Sequence, residues 1–358
     1  GEAARLALAA LPSAPACEVL ILPGDAPLVR PETLRGLWEF HWREEAAATF
    51  LSALLGPEAG AFGRVVRDAH GAVTRIVEAR DATPEEKRGG EVNSGIYLFS
   101  PAPLARALGA ITPDNAQGEY YLPDVLALFL REGLKVGALP LEEPEEMWGV
   151  NTGSDLARVR TAARRRILER HLAHGVEIVD PDTTFIDDTV TIAPGARIFP
   201  CTVITGDVVI EEGCEVGPFS HLRAGTHLKP GAEIGNFVEV KKTVVGEHTK
   251  AKHLTYLGDC VIGSRANIGA GTITANYDGK IKSVTRIGDR AFIGSGTVLV
   301  APVSVGEGAM TGAGAIVTRH HDVPPHTVVV GMPARPLQKA RDAAPHGQET
   351  ISERSSPC

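Results

Sequence analysis

The feature that most constrains this chain is a recurrence at six residues. Counting in sixes from Ile186 gives Ile186, Ile192, Ile198, Ile204, Ile210, Val216, Leu222, Leu228, Ile234 and Val240, all aliphatic. With 43 % of the chain hydrophobic, chance yields such a run with odds on the order of 10⁻⁴. The frame slips over Thr243–Leu257 and resumes at Ile262 and Ile268. After an insertion over Thr274–Arg286 it continues through Ile287, Ile293, Leu299, Val305 and Val317, with Thr311 the exception. Gly often follows the aliphatic residue, as at Gly217, Gly235, Gly263, Gly269, Gly288, Gly294 and Gly306. This is the hexapeptide signature of a parallel β-helix. Each hexad is a short strand and a turn, its aliphatic side chain pointing into a prism core while small residues let the chain bend at the corner. Gly and Pro recur too often for a helix, and an antiparallel fold would not hold a strict six.

Composition agrees. Only 5 % of the 358 residues are aromatic, as a narrow aliphatic column requires, and 39 Gly and 25 Pro make the chain turn-rich. The formal net charge of −8 argues against nucleic acid as a partner. No apolar run of 18 residues exists, so no membrane span is expected. Cys17, Cys201, Cys214, Cys260 and Cys358 show no CxxC pairing and read as free thiols of a reducing, cytoplasmic compartment. The chain starts at Gly1 with neither Met nor a signal peptide, and a segment missing in front of it is expected.

Ahead of the repeat the texture is α/β. Cys17–Leu22 is an apolar run ending in Pro23-Gly24-Asp25, which predicts a buried parallel strand meeting a polar loop. Pro31-Glu32-Thr33-Leu34 opens a helix. Arg64–Val66 and Val73–Val77 flank Asp68-Ala69-His70-Gly71 as a hairpin, and Ser94–Phe99 is another strand. Residues 154–174 read as one helix, capped by Ser154 or Asp155, with Leu156, Val159, Ala163 and Ile167 at helical spacing. Its arginines (Arg158, Arg160, Arg164, Arg165, Arg166 and Arg170) form either a solvated linker face or an anion-binding surface.

The repeat alone builds a rod, so departures from it should mark chemistry. Lys241, Lys242, Lys250, Lys252, Lys280, Lys282 and Arg286 gather around the slip and the insertion of an otherwise acidic chain. A local cationic cluster suits a small anionic substrate better than a polyanion; solvated lysines on loops are the alternative. His253 is a candidate general base. His248 and His253, five apart, also invite a zinc site of the kind found on γ-class carbonic anhydrases, although His221 and His227 are poorly spaced to supply the third ligand. Asp25, after the first strand, is placed to hold Mg²⁺ near phosphates.

Several long strings carry a resemblance. They include Gly24-Asp25-Ala26-Pro27-Leu28, Val92-Asn93-Ser94-Gly95-Ile96 and Asn115-Ala116-Gln117-Gly118-Glu119-Tyr120-Tyr121-Leu122-Pro123-Asp124. In the repeat they are Gly235-Asn236-Phe237-Val238-Glu239-Val240-Lys241-Lys242, His253-Leu254-Thr255-Tyr256-Leu257-Gly258-Asp259 and Asn267–Gly279. The chain resembles the bifunctional bacterial N-acetylglucosamine-1-phosphate uridyltransferase/glucosamine-1-phosphate N-acetyltransferase family. The resemblance implies a partial Rossmann-like nucleotidyltransferase domain over 1–152, a linker helix over 153–175, a left-handed β-helix acetyltransferase domain over 176–338 and a disordered tail over 339–358. It implies acetyl transfer from acetyl-CoA to glucosamine 1-phosphate, then uridylyl transfer from UTP with Mg²⁺. His253 would be the acetyl-transfer base. Arg223, Lys241, Tyr256 and Asn267 would hold the sugar phosphate, and Ala270, Asn276, Tyr277, Ser295 and Ala313 would contact acetyl-CoA. Asp25 and Asn151 match the Mg²⁺ ligands, and Gly63, Glu78, Asn93 and Asn151 the sugar-nucleotide contacts. The family forms homotrimers with shared acetyl-transfer sites. Glu239 is our own suggestion for orienting the base.

Two departures from the family stand out. Its Gly-rich nucleotide loop and first strand have no counterpart in the sequence, so uridylyl transfer is not expected of the chain as written, and residues 1–150 are expected to fold poorly alone. Where the family often has an Arg against the CoA phosphate this chain has Gly331, with Arg335 as a substitute. Two further readings stay open: a sugar-1-phosphate nucleotidyltransferase with a non-catalytic β-helix, and a trimeric scaffold.

Overall fold

The computed structural model describes residues 1–10, 17–55, 59–60, 62–88, 90–113 and 118–336. Asn115–Gln117 of the motif string and the expected tail lie outside the described residues. The chain divides into two compact units, one ending at Ala163 and the other beginning at Arg164. The division falls inside helix Gly153–Ala173.

The first unit is a mixed sheet flanked by helices. Its elements are α1 (Glu2–Ala9), β1 (Val19–Ile21), α2 (Pro31–Arg43), β2 (Ala48–Leu54), β3 (Arg64–Arg67), β4 (Val73–Val77), α3 (Pro84–Arg88), β5 (Glu91–Phe99), α4 (Pro101–Leu108), α5 (Pro123–Arg131) and β6 (Val136–Pro140). The order is β4-β3-β5-β2-β6, with β1 also on β5, and only β2 and β6 run parallel. The expected hairpin is β3 and β4, Val65 opposite Ile76. The first strand departs from expectation. β1 runs antiparallel to β5 and pairs with it alone among the described strands, so Leu20 and Leu22 are exposed while Val19 and Ile21 pack inward. A mostly apolar run predicts burial on both faces; one face is covered.

Helix α6 (Gly153–Ala173) is capped at Thr152, two residues before Ser154. The Thr152 hydroxyl accepts from the Asp155 N–H (3.2 Å), while the Asp155 carboxylate accepts from the Thr152 N–H and hydroxyl (both 2.8 Å). That reciprocal box satisfies the first free amides. Its buried residues are Val159, Ala162, Leu168 and His171; Leu156 faces solvent.

The second unit is a three-sided parallel β-helix. One face is a ladder of ten strands; the other two form a single 13-stranded sheet, because the long strands Glu239–Val245 and Tyr256–Ile262 carry pairing from one face round to the next. Every aliphatic residue of the six-residue series from Ile186 to Val240 is buried, and so is Thr311. The slip leaves the column intact: it passes through Val245, Ala251 and Leu257 before Ile262, all buried. Leu222 sits opposite Val240, 18 positions on, whereas Val240 sits opposite Leu257, 17 on, so one residue is lost from the coil. At the insertion Ile262 sits opposite Ile287, the extra residues being extruded between strands that stay in register. Corners are bridged by buried hydroxyls, such as Thr255 to the His253 carbonyl (2.7 Å) and Thr272 to that of Gly269 (2.7 Å).

Truncating Leu222 to Ala should cost the second unit about 2–5 kcal/mol, read as a lower denaturant midpoint for its transition. In the first unit, burial holds the His41 pKa below its ordinary 6.5, with Glu18 opposing. Its ring nitrogens meet Thr49 (2.9 Å) and Ser100 (3.4 Å). The unfolded chain therefore binds the extra proton, and stability is lost as pH falls through about 6.5. His41→Gln should flatten that dependence in melts between pH 8 and 5.

Candidate functional sites

In the second unit, one edge of the prism carries the histidine. Amides tie successive coils there: Leu254 N–H to the Asn236 carbonyl (2.9 Å), Gly271 to His253 (3.4 Å), Gly296 to Ala270 (2.7 Å) and Gly314 to Ser295 (2.7 Å). Asn236, His253, Ala270, Ser295 and Ala313 thus stand in one row, one per coil. Neighbouring strands lie about 4.8 Å apart, so small residues continue for three coils beyond the imidazole. The row suits a long, thin ligand running along the coils away from His253. The exposed imidazole borders a groove of about 180 Å³ lined by Phe199, Glu233, Asn236 and Lys252. The His253 side chain has no hydrogen-bond partner among the described residues. The suggestion that Glu239 orients it is not met, because the Glu239 carboxylate accepts from Arg223 (2.7 Å).

A second group gathers on the face that begins at Tyr256. Arg223, Lys241 and Gly258 occupy one row on three successive coils. The Tyr256 phenol lies over the Cα of Gly258, where any β-carbon would collide with it. Arg223, Lys241 and Tyr256 are therefore brought together as expected. The insertion adds Lys282, whose ammonium holds the Lys241 pKa below its ordinary value; burial and Arg223 push the same way and Asp259 opposes. Three cations against the carboxylates of Glu239 and Asp259 make a site that an anion would neutralise. Asn267 is not in this group; it stands on the adjacent face, in register with Lys250 and Phe292.

The insertion is internally tied. Asn276 is buried and its amide donates to Asp259 (2.5 Å). Tyr277 bridges to Lys282, is exposed, and its hydroxyl donates to the Gly279 carbonyl (2.6 Å). Asp278 accepts from the amides of Ile281 (2.8 Å) and Lys280 (2.9 Å) and from Arg319 (3.1 Å), which hold its pKa down at about 2. The Asn-Tyr-Asp-Gly string thus shapes the loop that delivers Lys282. Sequence reading counted Lys282 among seven basic residues without separating it; the signal was its place just past a turn.

The zinc alternative fails on placement. The residues following Glu247 and Ser264, His248 and Arg265, stack along a different edge from His253. His227 is engaged by Glu211 (2.6 Å), and no three metal-binding side chains converge among the described residues.

In the first unit a cavity of about 340 Å³ opens after β1. Asp25 and Asn151 line it, the Asn151 amide donating to the Asp25 carboxylate (3.4 Å). The Val150 amide donates to the Asp25 carbonyl (2.9 Å), and a β-carbon on Gly149 would lie 2.9 Å from Asp25 Oδ2, so glycine permits the approach. Nearby, the buried carboxylate of Glu146 accepts from Arg30 and Thr33, pinning the segment that leads to Trp148. Gly63 and Asn93 are joined by backbone (2.9 Å), and a β-carbon on Gly63 would lie 3.7 Å from Glu78 Oε1. Burial raises the Glu78 pKa, with Asp81 and Asp124 adding to it. Asn93 donates to the Tyr97 hydroxyl (2.5 Å).

Residues 285–319 match the bacterial transferase hexapeptide family (six repeats). The chain is 40 % identical over 345 residues to the bifunctional protein GlmU of Lactococcus lactis subsp. lactis, covering 87 % of this chain and 75 % of that protein. It is 44 % identical over 319 residues to the bifunctional protein GlmU of Pelotomaculum thermopropionicum, covering 80 % and 70 %. Among solved structures, a hexapeptide transferase family protein from Anaplasma phagocytophilum is similar at 26 % identity and a TM-score of 0.25, over 47 % of this chain and 84 % of that one. No helix among the described residues is long and apolar enough to cross a membrane.

Removing the Lys282 charge as Lys282→Ala should move the Lys241 pKa back up towards its ordinary value. Side-chain ammonium NMR would follow it, and an unchanged Lys241 titration would contradict the cluster.

Proposed function

The chain belongs to the GlmU family of bifunctional proteins, and on that premise we propose that its β-helix transfers acetyl from acetyl-CoA to the amine of glucosamine 1-phosphate. The observation that carries this reading is the row that starts at an unpartnered imidazole and continues as Ala270, Ser295 and Ala313. The sugar nitrogen attacks the thioester carbonyl carbon, His253 takes the proton from that nitrogen, the C–S bond breaks and CoA leaves as the thiolate. Arg223 and Lys241 hold the sugar phosphate, Arg through a fork of donors and Lys as a point charge. The Tyr256 hydroxyl and Asn267 bind the sugar. Ala270, Ser295 and Ala313 give the acyl carrier close passage, with Tyr277 and the backbone at Asn276 beside it.

A homotrimer with shared sites fits two observations. Phe219, Phe237 and Leu254 are exposed at the histidine edge, the two phenyl rings stacked 5.2 Å apart. Asn267 and the Arg223–Lys241 row lie on different faces of one prism, so one sugar phosphate reaches both where two prisms adjoin.

The first unit corresponds to the uridylyl-transfer half of the family, the half that joins the acetylated sugar phosphate to UTP. Asp25 and Asn151 would hold Mg²⁺. A carboxylate and an amide, with the amide turned to present its oxygen, are hard donors that leave positions for water and phosphate, as Mg²⁺ prefers. The ion would supply charge neutralisation at the phosphates. Gly63, Glu78 and Asn93 contact the sugar nucleotide. UDP-N-acetylglucosamine is the product of the two steps, made in the cytoplasm.

His253→Ala should lower acetyl transfer by about 10²–10⁴-fold in a thiol-release assay, the usual worth of a general base; undiminished turnover would refute the assignment. Sedimentation should show that active species are trimers, and a monomer with full specific activity would remove the shared site.

A further inference from the structure

The insertion that carries Lys282 is held from two sides, and neither hold belongs to the aliphatic column. Its root is closed by the Ser283 amide, which donates to the Asn276 carbonyl (2.8 Å). On one side the Asn276 side-chain amide donates to the Asp259 carboxylate (2.5 Å), one coil earlier. On the other side Arg319, 41 positions further along the chain, donates through Nη2 to the Asp278 carboxylate (3.1 Å).

The reach of Arg319 follows from register. Thr274, Leu299 and Val317 stand opposite one another on three successive coils. Just past Val317 the chain turns, the His320 amide donating to the Pro302 carbonyl (3.0 Å) and the His321 amide to the Thr318 carbonyl (3.1 Å). From that turn the Arg319 Nε donates to the Ala301 carbonyl (3.1 Å), while the Ala301 amide donates to the Ala275 carbonyl (3.1 Å). A guanidinium presents donors along several edges of one plane, so one side chain spans the prism backbone and the loop carboxylate. Asp278 in turn accepts from the amides of Lys280 and Ile281, which lead directly to Lys282. The ion pair therefore fixes the turn as well as neutralising a charge. Both side chains lie near the surface, 39 % and 25 % exposed. A pair so placed adds little to global stability, and its consequence is local: where the loop stands.

We propose that Arg319 is a positioning residue for acetyl transfer: through Asp278 it sets the turn that places the Lys282 ammonium beside Arg223 and Lys241, where the sugar phosphate is held. The inference rests on the acetyl-transfer reading of the β-helix and adds to it a residue that touches no substrate. Without Arg319 the loop is tied to the neighbouring coils through Asn276 alone, and the limb bearing Lys282 swings away from the other two cations. The loss falls on phosphate binding and not on proton transfer at His253.

Steady-state acetyl transfer to glucosamine 1-phosphate by the full chain tests it, with the Lys241 ammonium titration by NMR as a second readout that needs no substrate. Arg319→Ala should raise KM for glucosamine 1-phosphate about tenfold, the scale of one charge-assisted hydrogen bond, with kcat nearly unchanged. The same substitution should move the Lys241 pKa up towards its ordinary value, because Lys282 no longer stands beside it. In a Lys282→Ala background Arg319→Ala should add little, since the residue acts through Lys282. Arg319→Lys, with one nitrogen for two acceptors, should recover part of the KM. Asp278→Asn keeps an oxygen for the Lys280 and Ile281 amides while dropping the charge; it should reproduce Arg319→Ala, and it carries the test if that variant fails to fold. A wild-type KM together with an unmoved Lys241 titration would overturn the proposal, and so would full additivity with Lys282→Ala. A fall in kcat with KM and Lys241 unmoved would overturn it as well, since the effect would then bypass the cation cluster. Failure of the wild type to acetylate glucosamine 1-phosphate would remove the reading beneath it, and the Lys241 titration would still decide whether Arg319 places Lys282.

Discussion

The second unit depends on one requirement: each coil must set its inward aliphatic side chains on those of the coil below. Side chains such as Leu222, Val240 and Leu257 meet only if the backbone returns to the same place each time round. A coil can shorten at a corner or extrude a loop there, but it cannot move a residue off the column without opening a void. Variation is thereby expelled to the edges. Both departures from the six-residue rule are found there, and the insertion supplies Lys282, which joins Arg223 and Lys241.

How much of this was legible follows from the same requirement. The column could be read because burial imposes a period on aliphatic residues; of the residues in the matched strings, His253, Ala270, Ser295 and Ala313 stand in one row while Asn267 stands on another face. The slip could be located but its outcome could not be read, because sequence shows spacing and not closure: a coil of 17 returns to the column as well as one of 18. Glu239 illustrates a different limit. Its pairing with Arg223 depends on which residues stack across coils, 16 positions apart, and no local pattern encodes that. In the first unit β1 was read as buried on both faces because composition does not reveal how many partners a strand has. The cap at Thr152 lies two residues before Ser154 and three before Asp155; Thr, Ser and Asp all stand nearby as eligible caps.

The electrostatic organisation is local in both units. A chain with net charge −8 still concentrates Arg223, Lys241 and Lys282 in one place and sets Arg158 opposite Asp25. Arg223 is held by the Glu239 carboxylate, whereas two of the others have a support of a different kind. Lys282 is carried on a loop organised by Asp278, and Arg158 is stacked on the Trp148 indole.

The insertion between Ala275 and Thr285 leaves and rejoins the prism through strands that pair as if it were not there, Ile273 opposite Val298 and Ile287 opposite Val305. Its chain entropy is therefore settled at its own base, by the Tyr277–Lys282 bridge and the Asp278 turn, and not by the column. Such a loop is free to drift in length and composition while the scaffold stays fixed. Ligand preference and thermal robustness can then change independently in proteins built this way.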